Sequence, residues 1–131
     1  MTLTYEEAKA AAQEVVRTHG DHFRYSTEED RFACFYVPIS DPRFPLNLFD
    51  GTEIAPGAAI TGCFVGEILK RTGYLTDKIA GSQLGITSES LDATQEALTF
   101  LASLQTQQDD ASTWGDSLRW AVALIEETKD A

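Results

Sequence analysis

The chain has 131 residues, 43% hydrophobic and 24% charged, with 21 acidic against 10 basic side chains and a formal net charge of −11. A chain of this length can bury one core without metal or disulfide staples, so a single domain over 1–131 is expected. So acidic a surface repels a phosphate backbone, because nucleic-acid affinity comes largely from Lys and Arg displacing condensed counterions, and direct nucleic-acid binding is disfavoured.

Thr4-Tyr5-Glu6-Glu7 has the form of a capping box, and Tyr5, Ala8, Ala12, Val15, Val16 and His19 follow at steps of three and four before Gly20. The pattern predicts a helix over 4–19. The period then changes. Phe23-Arg24-Tyr25, a polar turn, and the aromatic run Arg31 to Val37 predict one hairpin. Leu46 to Phe49 and Thr52 to Ile54, flanking Asp50-Gly51, predict a second. Pro38, Pro42 and Pro45 cannot donate ladder hydrogen bonds, so 38–56 is expected to be a Pro-rich insertion or loop.

Helical spacing returns from Ala58 to Lys70, closed by Gly73. The opposite face carries Ala58, Gly62 and Gly66, and the cost of glycine within a helix implies a close packing partner there. A short helical turn is expected near 76–82. Thr87 is then expected to cap a helix marked by Leu91, Leu98, Leu101 and Leu104, and Thr113-Trp114-Gly115-Asp116 opens a last one striped by Trp114, Leu118, Ala121, Val122 and Ile125. The expected fold class is α+β: a small antiparallel sheet at 23–55 packed by an N-terminal helix, a central helix and a C-terminal helical hairpin. Val15, Phe35, Phe64, Leu101, Leu118 and Val122 are expected in the core.

His19, His22, Cys34 and Cys63 are residue types that zinc accepts, but the cysteines lie 29 positions apart with no local partner, so no metal or other cofactor is expected. Cys63, near a helix start, is the candidate nucleophile, with His19 or His22 as its base; the competing reading is a small buried side chain. Glu28-Glu29-Asp30, Asp109-Asp110 and Glu126-Glu127 read as solvated carboxylates. Phe44, Leu46, Leu48 and Phe49 concentrate apolar side chains in the Pro-rich loop, as a lid on the core or a partner site, and exposure of Trp120 would favour binding. Two free thiols, no apolar run long enough to span a membrane and a start without the marks of a secretory signal lead to an expectation of cytoplasm.

Cys34-Phe-Tyr-Val37, Gly62-Cys63-Phe-Val-Gly66-x-x-Leu69, Gln105-x-x-Gln108-Asp109 and Trp114-Gly115-x-x-Leu118-x-x-Ala121, in that order, resemble a family of small uncharacterised proteins of actinobacteriophages and actinobacteria. The resemblance implies host cytoplasm for a phage-encoded member and brings no catalytic residues with it. The expectation is a small accessory protein, non-enzymatic on balance, that acts by contact with a protein partner, interacting through Phe44, Leu46, Leu48, Phe49 and Trp120; a homo-oligomer stays open. The alternatives are a small-ligand-binding protein, a hydrolase or transferase using Cys63, and an acidic mimic of nucleic acid.

Overall fold

The computed structural model describes residues 2–25, 35–44, 56–81, 86–110 and 112–129. Five α-helices are seen among them: α1 (Tyr5–His19), α2 (Phe64–Thr72), α3 (Asp77–Ala80), α4 (Gln95–Asp109) and α5 (Trp114–Lys129). A single 3-10 turn, Pro56–Ala59, precedes α2.

Local chemistry sets these boundaries. The Thr4 hydroxyl accepts from the Glu7 N–H while the Glu7 carboxylate accepts from the Thr4 N–H, so the expected capping box starts α1. Gly20 and Gly73 take positive φ after α1 and α2, a conformation costly for a residue with a Cβ. The expected helix from Ala58 does not form as one unit: residues 58–60 belong to the 3-10 turn and its exit, and α2 begins only after Cys63. Thr87 does not cap α4 either. Its carbonyl accepts from the Ser90 and Leu91 N–H groups in a separate turn, and Thr94 caps α4 through the Ala97 N–H.

The antiparallel sheet expected within 23–55 is not present among the described residues, so the fold class is helical rather than α+β. The β pairing that is described is one isolated parallel bridge, Leu3 with Ala93, which ties the segment before α1 to the start of α4. The two expected turns, 26–30 and 50–51, lie outside the described residues, as do Cys34 and 45–55. Phe35, Tyr36 and Val37 were expected to pair as a strand. They are instead fully buried, and the Phe35 carbonyl accepts from the Cys63 N–H at 2.8 Å, at the entry to a helix. Aromatic and β-branched residues suit any extended, buried backbone, and this one is buried against helices.

α4 and α5 pack on each other across the 110–113 link, α1 lies against α2, α4 and α5, and α2 reaches α4. The central core joins Tyr5, Val15, Phe64, Ile68, Phe100, Leu101, Leu104 and Trp114. Of the six expected core residues, Val15, Phe35, Phe64 and Leu101 are fully buried, and Leu118 and Val122 pack partly buried against the cluster. The small-residue face of the Gly62–Gly66 stretch has the neighbour its glycines imply. A Cβ at either position would collide with the Tyr36 carbonyl oxygen, so this face is covered from within the molecule.

Candidate functional site

Cys63 is the N-cap residue of α2, has no exposed surface and is disulfide-bonded; the sequence contains one other cysteine, Cys34. A sulfur in a disulfide has no thiolate to attack with, so the free-thiol expectation and the nucleophile built on it are both corrected. His19 is half-buried at the end of α1, packed edge-on against the Trp114 ring at 5.3 Å and tilted over Phe23. Its Nε2 lies 3.8 Å from Oε1 of Glu67 on α2, a partner the sequence did not suggest. His22 is exposed in the turn beyond. Among the described residues no three His, Cys, Asp or Glu side chains gather in a way that could hold a metal ion.

The buried polar side chains serve the architecture. Cys63 makes no side-chain cap to α2, and Gln108 of α4 supplies one: its Oε1 accepts from the Phe64 N–H at 2.8 Å and from the Trp114 indole at 3.2 Å. Trp114 stacks on Phe64 with ring centroids 4.8 Å apart. At the start of α5 the N–H groups of Trp114 and Gly115 donate to the carbonyls of Phe23 and Asp21, and the Thr113 hydroxyl accepts from the Asp116 N–H. Arg119 clamps the Asp21 carboxylate with two parallel hydrogen bonds and also reaches Asp116. Those bonds from Arg119 hold both carboxyls below the usual carboxylate range. Glu126 is no idle surface acid either, since it accepts from the Tyr5 hydroxyl and the Lys9 ammonium.

The apolar loop divides. Phe44 is only 5% exposed, its ring tilted against Phe35 with centroids 4.6 Å apart in a small second core with Val37 and Ala80, so the lid reading of this residue fits its burial. Leu46, Leu48 and Phe49 lie outside the described residues. Trp120 is 50% exposed on α5, with the exposed Leu124 one turn further on.

Trp120 also forms one wall of an open cleft of about 470 Å³. The opposite wall is a face of α4 carrying Gln95, Leu98, Thr99, Ala102, Ser103 and Thr106, and the segment Ile86 to Ser88 closes one end. Helical spacing explains this face: Ala97, Phe100, Leu101, Leu104 and Gln108 turn inward, which leaves Leu98 and Ala102 beside a row of neutral hydroxyl and amide side chains. The arrangement offers a flat indole, an aliphatic floor and uncharged hydrogen-bonding groups. The described residues that line it include no carboxylate, imidazole, amine or thiol. Of the two described residues expected to interact, Trp120 lines this cleft and Phe44 does not. The α4 wall was missed because its polar residues read as ordinary solvated surface and Leu98 reads as part of the core stripe, against which it is indeed partly packed.

No family model, no curated protein and no solved structure matches the chain. No described helix is long and apolar enough to cross a membrane.

Proposed function

We propose that this is a non-enzymatic binding protein that contacts a protein partner through the cleft between α4 and Trp120. The observation that carries the reading is Trp120 itself, half-exposed on the rim of a cleft whose floor is Leu98 and Ala102. Binding energy at protein interfaces concentrates in a few aromatic and arginine anchors, and an indole already fixed along one side loses little freedom when a partner covers the other. Cys63 cannot serve the rival enzymatic reading while it is in a disulfide. The expected cytoplasmic address rested in part on free thiols, and that part is lost with Cys63 in a disulfide, a bond that persists best in an oxidising compartment.

Selection from a displayed random-peptide library, with counter-selection on the Trp120→Ala variant, tests the reading. Enrichment of sequences that bind the parent and not the variant supports it. Sequences that bind both equally place the contact elsewhere. A second reading, a small-ligand site, is favoured by the cleft volume, which falls within the range of such sites. It predicts Trp120-dependent capture of small molecules and no selected peptides.

A further inference from the structure

We propose, resting on the second reading of the cleft as a small-ligand site, that the ligand it takes is an uncharged saccharide whose ring lies on Trp120 and whose hydroxyls meet the α4 wall. Every described residue that lines the cleft is uncharged: six carry a hydroxyl or an amide, and the rest are aliphatic apart from Trp120.

Ser103 points to the ligand most directly. It lines the cleft, is only 9% exposed and makes no hydrogen bond to another described residue. The buried side chains of Gln108 and Ser117 both bond within the protein, as buried polar groups do in general. The unpartnered hydroxyls of Thr61 and Tyr74 are sealed from any surface, whereas that of Ser103 is open, and the opening is the cleft. A hydroxyl so placed has lost most of its hydration and gains a full hydrogen bond when a ligand brings a partner. Its neighbours add to it. Gln95 donates from its amide nitrogen to Thr99 Oγ1 at 3.3 Å, which leaves the amide oxygen and the Thr99 proton for a ligand. Thr106 donates to the Ala102 carbonyl at 3.0 Å and keeps its lone pairs. The wall thus both donates and accepts, the two-sided capacity that a sugar hydroxyl matches.

Other ligand classes fit less well. A charged group would be desolvated against a lining with no countercharge. A hydrocarbon would cover hydroxyls and an amide without giving them partners. A pyranose brings a face of C–H groups for the indole and a ring of hydroxyls for the wall. It can come free or as the glycan of a protein, and the second source would join this site to the protein contact proposed above.

Titration of the isotope-labelled full chain, followed by its amide and indole NMR signals, tests this. The probes are maltotriose, cellotriose, chitotriose and mannotriose, with sialyllactose and trigalacturonate as anionic sugars and uracil as a stacking ligand that is not a sugar. At least one neutral trisaccharide is expected to saturate the protein and shift the Trp120 and Ser103 signals, with the anionic sugars about tenfold weaker or more. Raising salt from about 0.05 to 0.5 M should change the neutral sugar's affinity by less than about twofold. Trp120→Ala should weaken it by about tenfold or more, and Ser103→Ala by about threefold or more. Ile60→Ser, on an exposed residue outside the cleft, should leave it unchanged. Each variant is first shown by circular dichroism to be folded. Binding of a high-mannose glycoprotein that is lost on enzymatic removal of its glycan, where free mannotriose does not bind, keeps the saccharide and assigns it to a protein. An anionic sugar that binds as tightly overturns the uncharged class. Binding of uracil without any sugar overturns the saccharide and leaves the small-ligand site standing. Sugar binding that neither Trp120→Ala nor Ser103→Ala weakens places the site elsewhere and overturns the proposal. If no sugar, glycoprotein or uracil binds, the saccharide is overturned, and the library selection decides the cleft separately.

Discussion

Gln108 and Trp114, six residues apart on successive helices, share a buried hydrogen bond in which the amide oxygen holds the indole N–H while also capping α2 at Phe64. One side chain thereby fixes the relative placement of α2, α4 and α5. Gln108→Leu removes the acceptor for two buried donors at once, each costing about 1–3 kcal/mol when unsatisfied. Chemical denaturation of this variant should show a loss of about 2–4 kcal/mol, and a loss below about 0.5 kcal/mol would mean that the bonds do not form.

The contact between Gly66 and the Tyr36 carbonyl gives a second test. Gly→Ala in a helix ordinarily stabilises it by about 1 kcal/mol through propensity. Here the added methyl would strike backbone, which cannot swing aside, so Gly66→Ala should destabilise by about 1–3 kcal/mol. A stabilised variant would show that the 35–37 segment does not lie on α2.

Phe44→Ser should behave as a folding variant. Removing a ring packed on Phe35 in a buried cluster is expected to cost about 3 kcal/mol or more in a denaturant melt. Trp120→Ala, in contrast, should change stability by less than about 1 kcal/mol because half of the ring already faces water.

The disulfide at Cys63 predicts that the unreduced protein, unfolded in denaturant, exposes no titratable thiol, and that reductant releases two. Reduction should lower stability by about 2–4 kcal/mol. Two thiols titrated without reductant would restore the free-cysteine reading.

The tyrosines set the alkaline limit, and all four have raised hydroxyls. Burial is the leading cause that raises the hydroxyls of Tyr5 and Tyr25 well above the ordinary tyrosine range and pushes Tyr36 up to about 12. A raised folded value means that the folded state holds its proton more tightly, so this stability is complete below about pH 10 and is lost as pH rises from there through the folded values. Thermal melts at pH 8 and pH 11 should show the lower midpoint at pH 11. The carboxyls of Asp21 and Asp116 run the other way, since their lowered values give stability that is present above the usual aspartate range and lost as pH falls through the folded values.

The helices were largely legible in the sequence, and their relation to one another was not. α1, α4 and α5 declared themselves through apolar spacing because each buries one stripe. The glycines at 62 and 66 correctly announced a close neighbour, although nothing local could say that it would be Tyr36. The run Phe35 to Val37 misled because bulky side chains in extended backbone mark burial as readily as sheet pairing, and a strand needs a partner that local sequence does not name. Trp120 was flagged by its position beside the α5 stripe. The α4 wall opposite was not, because a cleft arises where packed elements leave space between their side chains, which the spacing within one helix does not reveal. Gln108 resembled any surface glutamine until the indole and the end of α2 converged on it.

The two tryptophans occupy opposite environments, Trp114 fully enclosed and Trp120 half in water. Unlabelled protein therefore carries two spectrally separable reporters. Trp114 should emit toward the blue and resist acrylamide until the core opens, while Trp120 emits toward the red and is quenched at once. Loss of the blue component then follows unfolding, and protection of the red one follows occupation of the cleft, so a single sample can show whether a substitution has damaged the fold or only the contact.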